Sequence, residues 1–230
     1  MRTLLMALGL SLGAAAPAMA MEENMTFHMV RAEIDGAHVD GADVVNWEGE
    51  AWIGGDRDKL WLKTEGEVAD QETENAEIQA LWSRNVADLW DLQAGVRVDL
   101  EPLTTTYLAL GVQGLAPYQF ETEATAFVSE DGDVSARLHQ SLDLLFTQRL
   151  ILEPHVEINV YAQDVPERSI GAGIADVEAG LQLRYEITRK FAPYLDVVYE
   201  RALGETESLM RDAGEDIEQT SLRAGIRFWF

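Results

Sequence analysis

The sequence contains no cysteine, so neither a disulfide framework nor a thiolate metal site is available to it. Histidine is nearly as scarce: any imidazole site must come from His28, His38, His139 and His155. Basic residues are also few. Seventeen Lys and Arg stand against 41 Asp and Glu, a formal net charge of −24. Phosphate contacts need Lys and Arg, so nucleic acid is excluded as a partner. Cations are favoured instead. Beyond the first twenty residues no apolar run reaches the eighteen or so residues of a membrane helix, which excludes a helical membrane protein. Hydrophobic residues make up 47% of the chain, too many for a disordered acidic tail.

The first twenty residues have their own character. Arg2 gives a positive start, Leu4 to Leu12 is a short apolar run, and Ala18-Met19-Ala20 is a small-residue cleavage site. This pattern predicts an export signal over 1–20. A short Met-containing tail over 21–27 and a single large domain over 28–230 follow.

In that domain the dominant signal has period two. Reading back from Phe230, one face holds Phe228, Ile226, Ala224 and Leu222, and the other holds Trp229, Arg227, Gly225, Arg223 and Ser221. A helix would not keep this alternation. It recurs over 88–100, 149–163 and 176–188, with apolar residues on one face and charges, Gln or Gly on the other. Turn signals such as Gly54-Gly55-Asp56 and Asp131-Gly132-Asp133 punctuate the runs. Eleven clear strands, plus a shorter one near 28–36, predict an all-β, antiparallel transmembrane outer-membrane β-barrel of about twelve strands, with ten as the alternative. The segments 203–216 and around Pro166-Glu167-Arg168 read as long loops.

A soluble barrel points its apolar faces inward, and a membrane barrel reverses the order. Here the polar faces mix opposite charges with glycine and can fill a narrow lumen as one network rather than leave an open pore. The acidic side includes Glu33, Glu48, Glu50, Glu65, Glu67, Glu77, Asp91, Asp99, Glu121, Glu123 and Glu157. Arg97, Arg137, Arg149, Arg184, Arg223 and Arg227 share those faces. The apolar faces carry Trp82, Trp90, Tyr107, Tyr185, Tyr199, Phe228 and Phe230, the material of interfacial girdles. Strands of about ten residues suit a tilted crossing. Together with the export signal, these features predict a monomer in the outer membrane, with membrane lipid around it and its N-terminal tail on the periplasmic side.

Within the strands stand Trp52-Ile53-Gly54-Gly55-Asp56, Lys59-Leu60-Trp61-Leu62-Lys63 and Trp90-Asp91-Leu92-Gln93-Ala94-Gly95. They are followed by Gly111-Val112-Gln113-Gly114, Thr147-Gln148-Arg149-Leu150, Gly180-Leu181-Gln182-Leu183-Arg184-Tyr185, Phe191-Ala192-Pro193-Tyr194 and Arg227-Phe228-Trp229-Phe230. These words, in this order over about 28–230, resemble the copper-resistance protein B family. The resemblance implies an outer-membrane protein that binds copper ion, Cu(I) or Cu(II), and contributes to copper resistance. It also implies a periplasmic multicopper oxidase as partner, and no catalysis by this chain. The long Met- and His-rich N-terminal region of many members is reduced here to Met21, Met25, His28 and Met29.

Copper chemistry then selects candidate ligands. Cu(I) favours thioether and imidazole, whereas Cu(II) favours imidazole and carboxylate. Met25, His28 and Met29 bring two thioethers and an imidazole within five residues. His139 and His155 lie on polar strand faces among carboxylates, as a lumen site for Cu(II) requires. The same residues also suit simple hydrogen-bonded lumen histidines. Two other function classes stay open. One is a general porin or structural barrel. The other is a hydrolase using His139 and Ser141, although strand parity aims that pair into the lumen.

Overall fold

The computed structural model describes residues 26–39 and 41–230; the expected export signal and most of the tail, Met21 and Met25 included, lie outside the described residues. The strands are β1 (Phe27–Val39), β2 (Ala42–Gly54), β3 (Asp58–Ala69), β4 (Glu72–Ala87), β5 (Trp90–Glu101), β6 (Thr105–Ala116) and β7 (Phe120–Ser129). They continue with β8 (Val134–Ser141), β9 (Leu144–Leu145), β10 (Leu150–Tyr161), β11 (Gly173–Tyr185), β12 (Phe191–Ala202) and β13 (Glu218–Trp229). Each pairs antiparallel with its neighbours, and β13 returns to β1 through pairs such as Ile226 with Ile34. The sheet is closed, so no edge is left exposed to lipid.

Short β9 lies in line with β8, and both pair with β10. They form one stave, and the barrel has twelve. The single strand expected over 134–147 is therefore interrupted at Leu142 and Asp143. The interruption faces Pro154 of β10, which has no amide hydrogen to donate to the ladder. Only the Pro154 carbonyl is used, accepting from the Leu142 amide at 3.2 Å.

Phe27 and Phe230 lie at the end with the short turns, where Val30 and Phe230 exchange two backbone hydrogen bonds of 2.8 and 2.9 Å. The two longest connections, 162–172 and 203–217, lie at the opposite end. Short turns belong to the periplasmic side of such barrels and long loops to the extracellular side.

The second long connection is not the plain loop expected from its polarity. It carries α1 (Gly204–Ala213), with Glu205 and Glu207 in the first turn, Arg211 in the last, and Gly214 at φ 79° closing it. Acids at a helix start, a base at its end and a left-handed glycine after it are local helix signals that need no apolar stripe. Thr206 of α1 is buried, and its hydroxyl accepts from the Gly171 amide at 3.0 Å, which docks the helix onto the 162–172 connection.

The faces are sorted as a membrane barrel requires. Outward Leu108, Leu222 and Leu60 are 68%, 62% and 58% exposed, while inward Glu77 and Gln93 are 1% exposed. Trp82, Tyr185, Tyr199 and Phe230 stand on the outer surface as expected. Two placements differ from the sequence reading. Tyr107 turns inward and packs edge-on against Phe127, centroids 6.3 Å apart, because Leu108 and Leu110 take the outward parity of β6. Arg149 is exposed in the turn before β10 rather than in the lumen.

The lumen also contains an apolar cluster: Trp61, Leu81, Tyr107, Ala109 and Phe127, with Met29 and Trp52 against it. Register explains it. Met29, Trp52, Trp61, Leu81, Gly95, Ala109 and Phe127 are successive cross-strand partners, so the tilt of the strands turns them into one diagonal stripe. Cations cover the stripe. Lys59 lies over Trp52 and Lys63 over Trp61, both at 5.5 Å, and Arg97 over Phe127 at 4.9 Å.

Candidate metal centre in the barrel lumen

Beside the stripe the lumen keeps a cavity of about 810 Å³, lined along β10 from Glu153 to Tyr161. Its wall is organised by arginines. Arg137 bridges Glu65 at 2.6 Å, Glu77 at 3.1 Å and Glu157 at 3.3 Å. Arg97 joins Glu77 at 2.7 Å to Asp99 at 2.6 Å. Arg227 joins Glu33 at 2.6 Å to Glu153 at 3.0 Å, and Arg184 joins Glu153 to Asp143. Such shared pairing sets each of these arginines between two or more carboxylates. Carboxylates outnumber the cations, so the cavity retains an acidic wall.

His139 and His155 come together in this wall. Neither is near the other in sequence, but β8 and β10 are neighbours. Their register places His139 opposite Glu157 and His155 opposite Ser141. The two rings stack at 6.4 Å between centroids with 19° between planes. His139 Nδ1 is 3.6 Å from Glu157, not bonded to Ser141, and the hydrolase pairing is not formed.

His155 is held by three strands. Its cross-strand partner on β11 is Gly180, and the ring lies over that glycine. A Cβ at Gly180 would stand 2.0 Å from His155 Nε2, so only glycine lets the ring cross β11. The ring reaches β12, where Nε2 is 3.1 Å from Asp196 Oδ2; Nδ1 is 3.9 Å from Glu178. Among the described residues no three His, Asp or Glu side chains are yet drawn together as a ready-made metal cluster.

The other candidate ligands are elsewhere. Met29 faces the lumen near the periplasmic end, against the apolar stripe. His28, the next residue on β1, points to the opposite face and is exposed. The strand therefore separates His28 from Met29 across the wall, and Met25 lies outside the described residues. His38 sits exposed at the extracellular rim, 2.8 Å from Asp43. Sequence reading missed Gly180, Gln182, Glu178 and Asp196 as neighbours of His155. Their polar parity was visible, but the cross-strand alignment that assembles them was not.

The extracellular mouth is strapped by Arg168 of the 162–172 connection. Its guanidinium donates to Asp99 at 2.8 Å, Thr105 at 3.1 Å and the Leu103 carbonyl at 3.3 Å. Burial works against the Arg168 charge, but hydrogen bonding to Asp99 outweighs it and holds the group above the ordinary arginine range.

Comparison with known proteins places these features. The family described as Copper resistance protein B precursor (CopB) matches residues 25–230. Copper resistance protein B of Escherichia coli is 47% identical over 192 residues, covering 83% of this chain and 65% of that protein. The Copper resistance protein B homolog of Pseudomonas syringae pv. tomato is 42% identical over 204 residues, covering 88% of this chain and 69% of that protein. The chain thus spans about two thirds of the length of these relatives. Among solved structures, the NanC porin aligns with TM-score 0.59 at 12% identity, covering 86% of this chain and 98% of that one. The KdgM porin aligns with TM-score 0.55 at 11% identity, covering 88% and 99%. At such identities the likeness is one of fold alone.

Proposed function

This chain belongs to the copper resistance protein B family, and on that premise we propose that it binds copper in the lumen of its barrel and so contributes to copper tolerance at the outer membrane. The observation that carries the reading is the stacked His139–His155 pair, facing an acid-lined cavity with Glu157, Glu178 and Asp196 beside it. Imidazole and carboxylate are the donors that Cu(II) favours. An acidic lumen concentrates cations before any of them binds. Met29 inside the periplasmic mouth, with Met25 in the preceding tail, supplies thioethers for Cu(I), and His28 serves that end of the barrel from the opposite face. The protein acts as a monomer, without catalysis of its own, and hands copper to or takes it from a periplasmic multicopper oxidase.

A general porin is the second reading, and the cavity along β10 favours it. Titration of the refolded mature chain in detergent with Cu(I), Cu(II) and Zn(II) separates the two. The copper reading expects a tight, stoichiometric copper response above the zinc response. Equal weak responses to all three ions, with ionic conductance in planar bilayers, would put the porin reading in its place.

A further inference from the structure

We propose that Asp196 and Gln182 complete, with His155, a nitrogen–oxygen site for oxidised copper, Cu(II), in the lumen wall. The proposal rests on the copper reading above and extends it to a defined ligand set in which Asp196 and Gln182 bind the ion beside His155.

The three residues come from consecutive staves. Gln182 of β11 and Asp196 of β12 are direct cross-strand partners, and His155 reaches them from β10 across Gly180. Both partners are 6% exposed and both line the cavity. Yet Asp196 Oδ1 and Gln182 Oε1 accept no hydrogen bond among the described residues. A buried oxygen without a donor is costly, and two on adjacent strands, facing the same space, mark a place where a cation would satisfy both.

The geometry suits a metal as well as it suits a hydrogen bond. Cis donors at about 2.0–2.1 Å from a tetragonal Cu(II) ion are about 2.9 Å apart. His155 Nε2 and Asp196 Oδ2 are 3.1 Å apart. Glu178 lies 3.9 Å from the other ring nitrogen, Nδ1, on the side from which carboxylates orient metal-bound histidines. Gln182 is also tethered: its amide nitrogen donates to Glu33 at 3.4 Å, while Oε1 is buried without a donor among the described residues. Arginines neighbour the site: Arg227 is paired with Glu33 at 2.6 Å. Arg223 is the cross-strand partner of Asp196, but it donates to Ser221 at 3.2 Å and lies 3.7 Å from Glu178.

The donor set decides the ion. Imidazole nitrogen, carboxylate oxygen and amide oxygen are borderline to hard and favour Cu(II) over Cu(I). Among the described residues no methionine lines this cavity, and Met29 packs against the apolar stripe instead. The barrel therefore separates a thioether end for Cu(I) from an oxygen–nitrogen wall for Cu(II).

The test uses the full mature chain in detergent. Cu(II) sulfate is titrated into wild type, Asp196→Asn, Gln182→Leu and, as a control outside the lumen on α1, Glu207→Gln. Folding is checked by heat-modifiable mobility, and the wild-type copper centre is read by electron paramagnetic resonance. We expect nitrogen-coupled Cu(II) in wild type, an affinity loss of about 10- to 100-fold in both site variants, and none in the control. Cu(I) affinity, measured under reductant against a competing chelator, should not change. Wild-type Cu(II) without nitrogen coupling would overturn the site even if a variant failed to fold. Wild-type Cu(II) affinity in both folded site variants would also overturn it, while the copper reading stood. Failure of wild type to bind either oxidation state would overturn the copper reading itself.

Discussion

Gly180→Ala tests how the lumen wall holds His155. The added Cβ would stand 2.0 Å from Nε2, 2.2 Å from Cε1 and 2.9 Å from Cδ2 of that ring. Ordinary carbon contacts lie at about 3.5–4.0 Å, so the ring must retreat by roughly 1.5 Å. Its 3.1 Å contact with Asp196 cannot survive that displacement. The three nearest obstructing atoms all belong to the His155 side chain rather than to backbone, so the barrel should still close. Overpacking of this kind costs about 1–3 kcal/mol. Displacing the imidazole should also lower Cu(II) affinity. A double-mutant cycle isolates the cause. In a His155→Ala background the three nearest obstructing atoms are gone, so Gly180→Ala should become nearly neutral. The coupling should be about 0.5–3 kcal/mol by urea unfolding in lipid vesicles. Strict additivity of the two changes, or wild-type stability in Gly180→Ala alone, would refute the placement of His155 over β11.

Two further outcomes follow from the fold. Val197 is 51% exposed on the outer face at mid-strand, whereas Val198 beside it is 1% exposed in the lumen. Val197→Arg should cost about 2–4 kcal/mol in lipid vesicles, and an unshifted urea midpoint would contradict the lipid-facing assignment. Arg168→Ala removes a charge-assisted contact with Asp99, worth about 1.5–3 kcal/mol, so the 162–172 connection should be nicked faster by added protease while the barrel stays intact. A nicking rate equal to that of wild type would show that the strap is held by other contacts.

Much of the architecture was legible because its causes are local. Period-two alternation follows from strand geometry, and it located the staves to within a few residues. What escaped was set by neighbours. Tyr107 was read as an interfacial aromatic, but the parity of β6 turns it onto Phe127. The break between β8 and β9 depends on Pro154 of the next strand. The helix α1 carries few apolar residues, and its signals were end residues in a segment whose polarity suggested a loop.

The candidate site divides in the same way. That His139 and His155 face the lumen follows from alternation within each strand. That they stack on each other, and that His155 crosses Gly180 to reach Asp196 on β12, follows from register. A shift of one residue between strands would keep each strand's own alternation and reverse the face it shows to the lumen. The sequence by itself determined a closed barrel with a polar, acidic interior, because burial preference repeats every second residue. Only the tertiary structure decided which polar residues share a place on the wall, because hydrogen-bonded alignment between distant strands sets those distances.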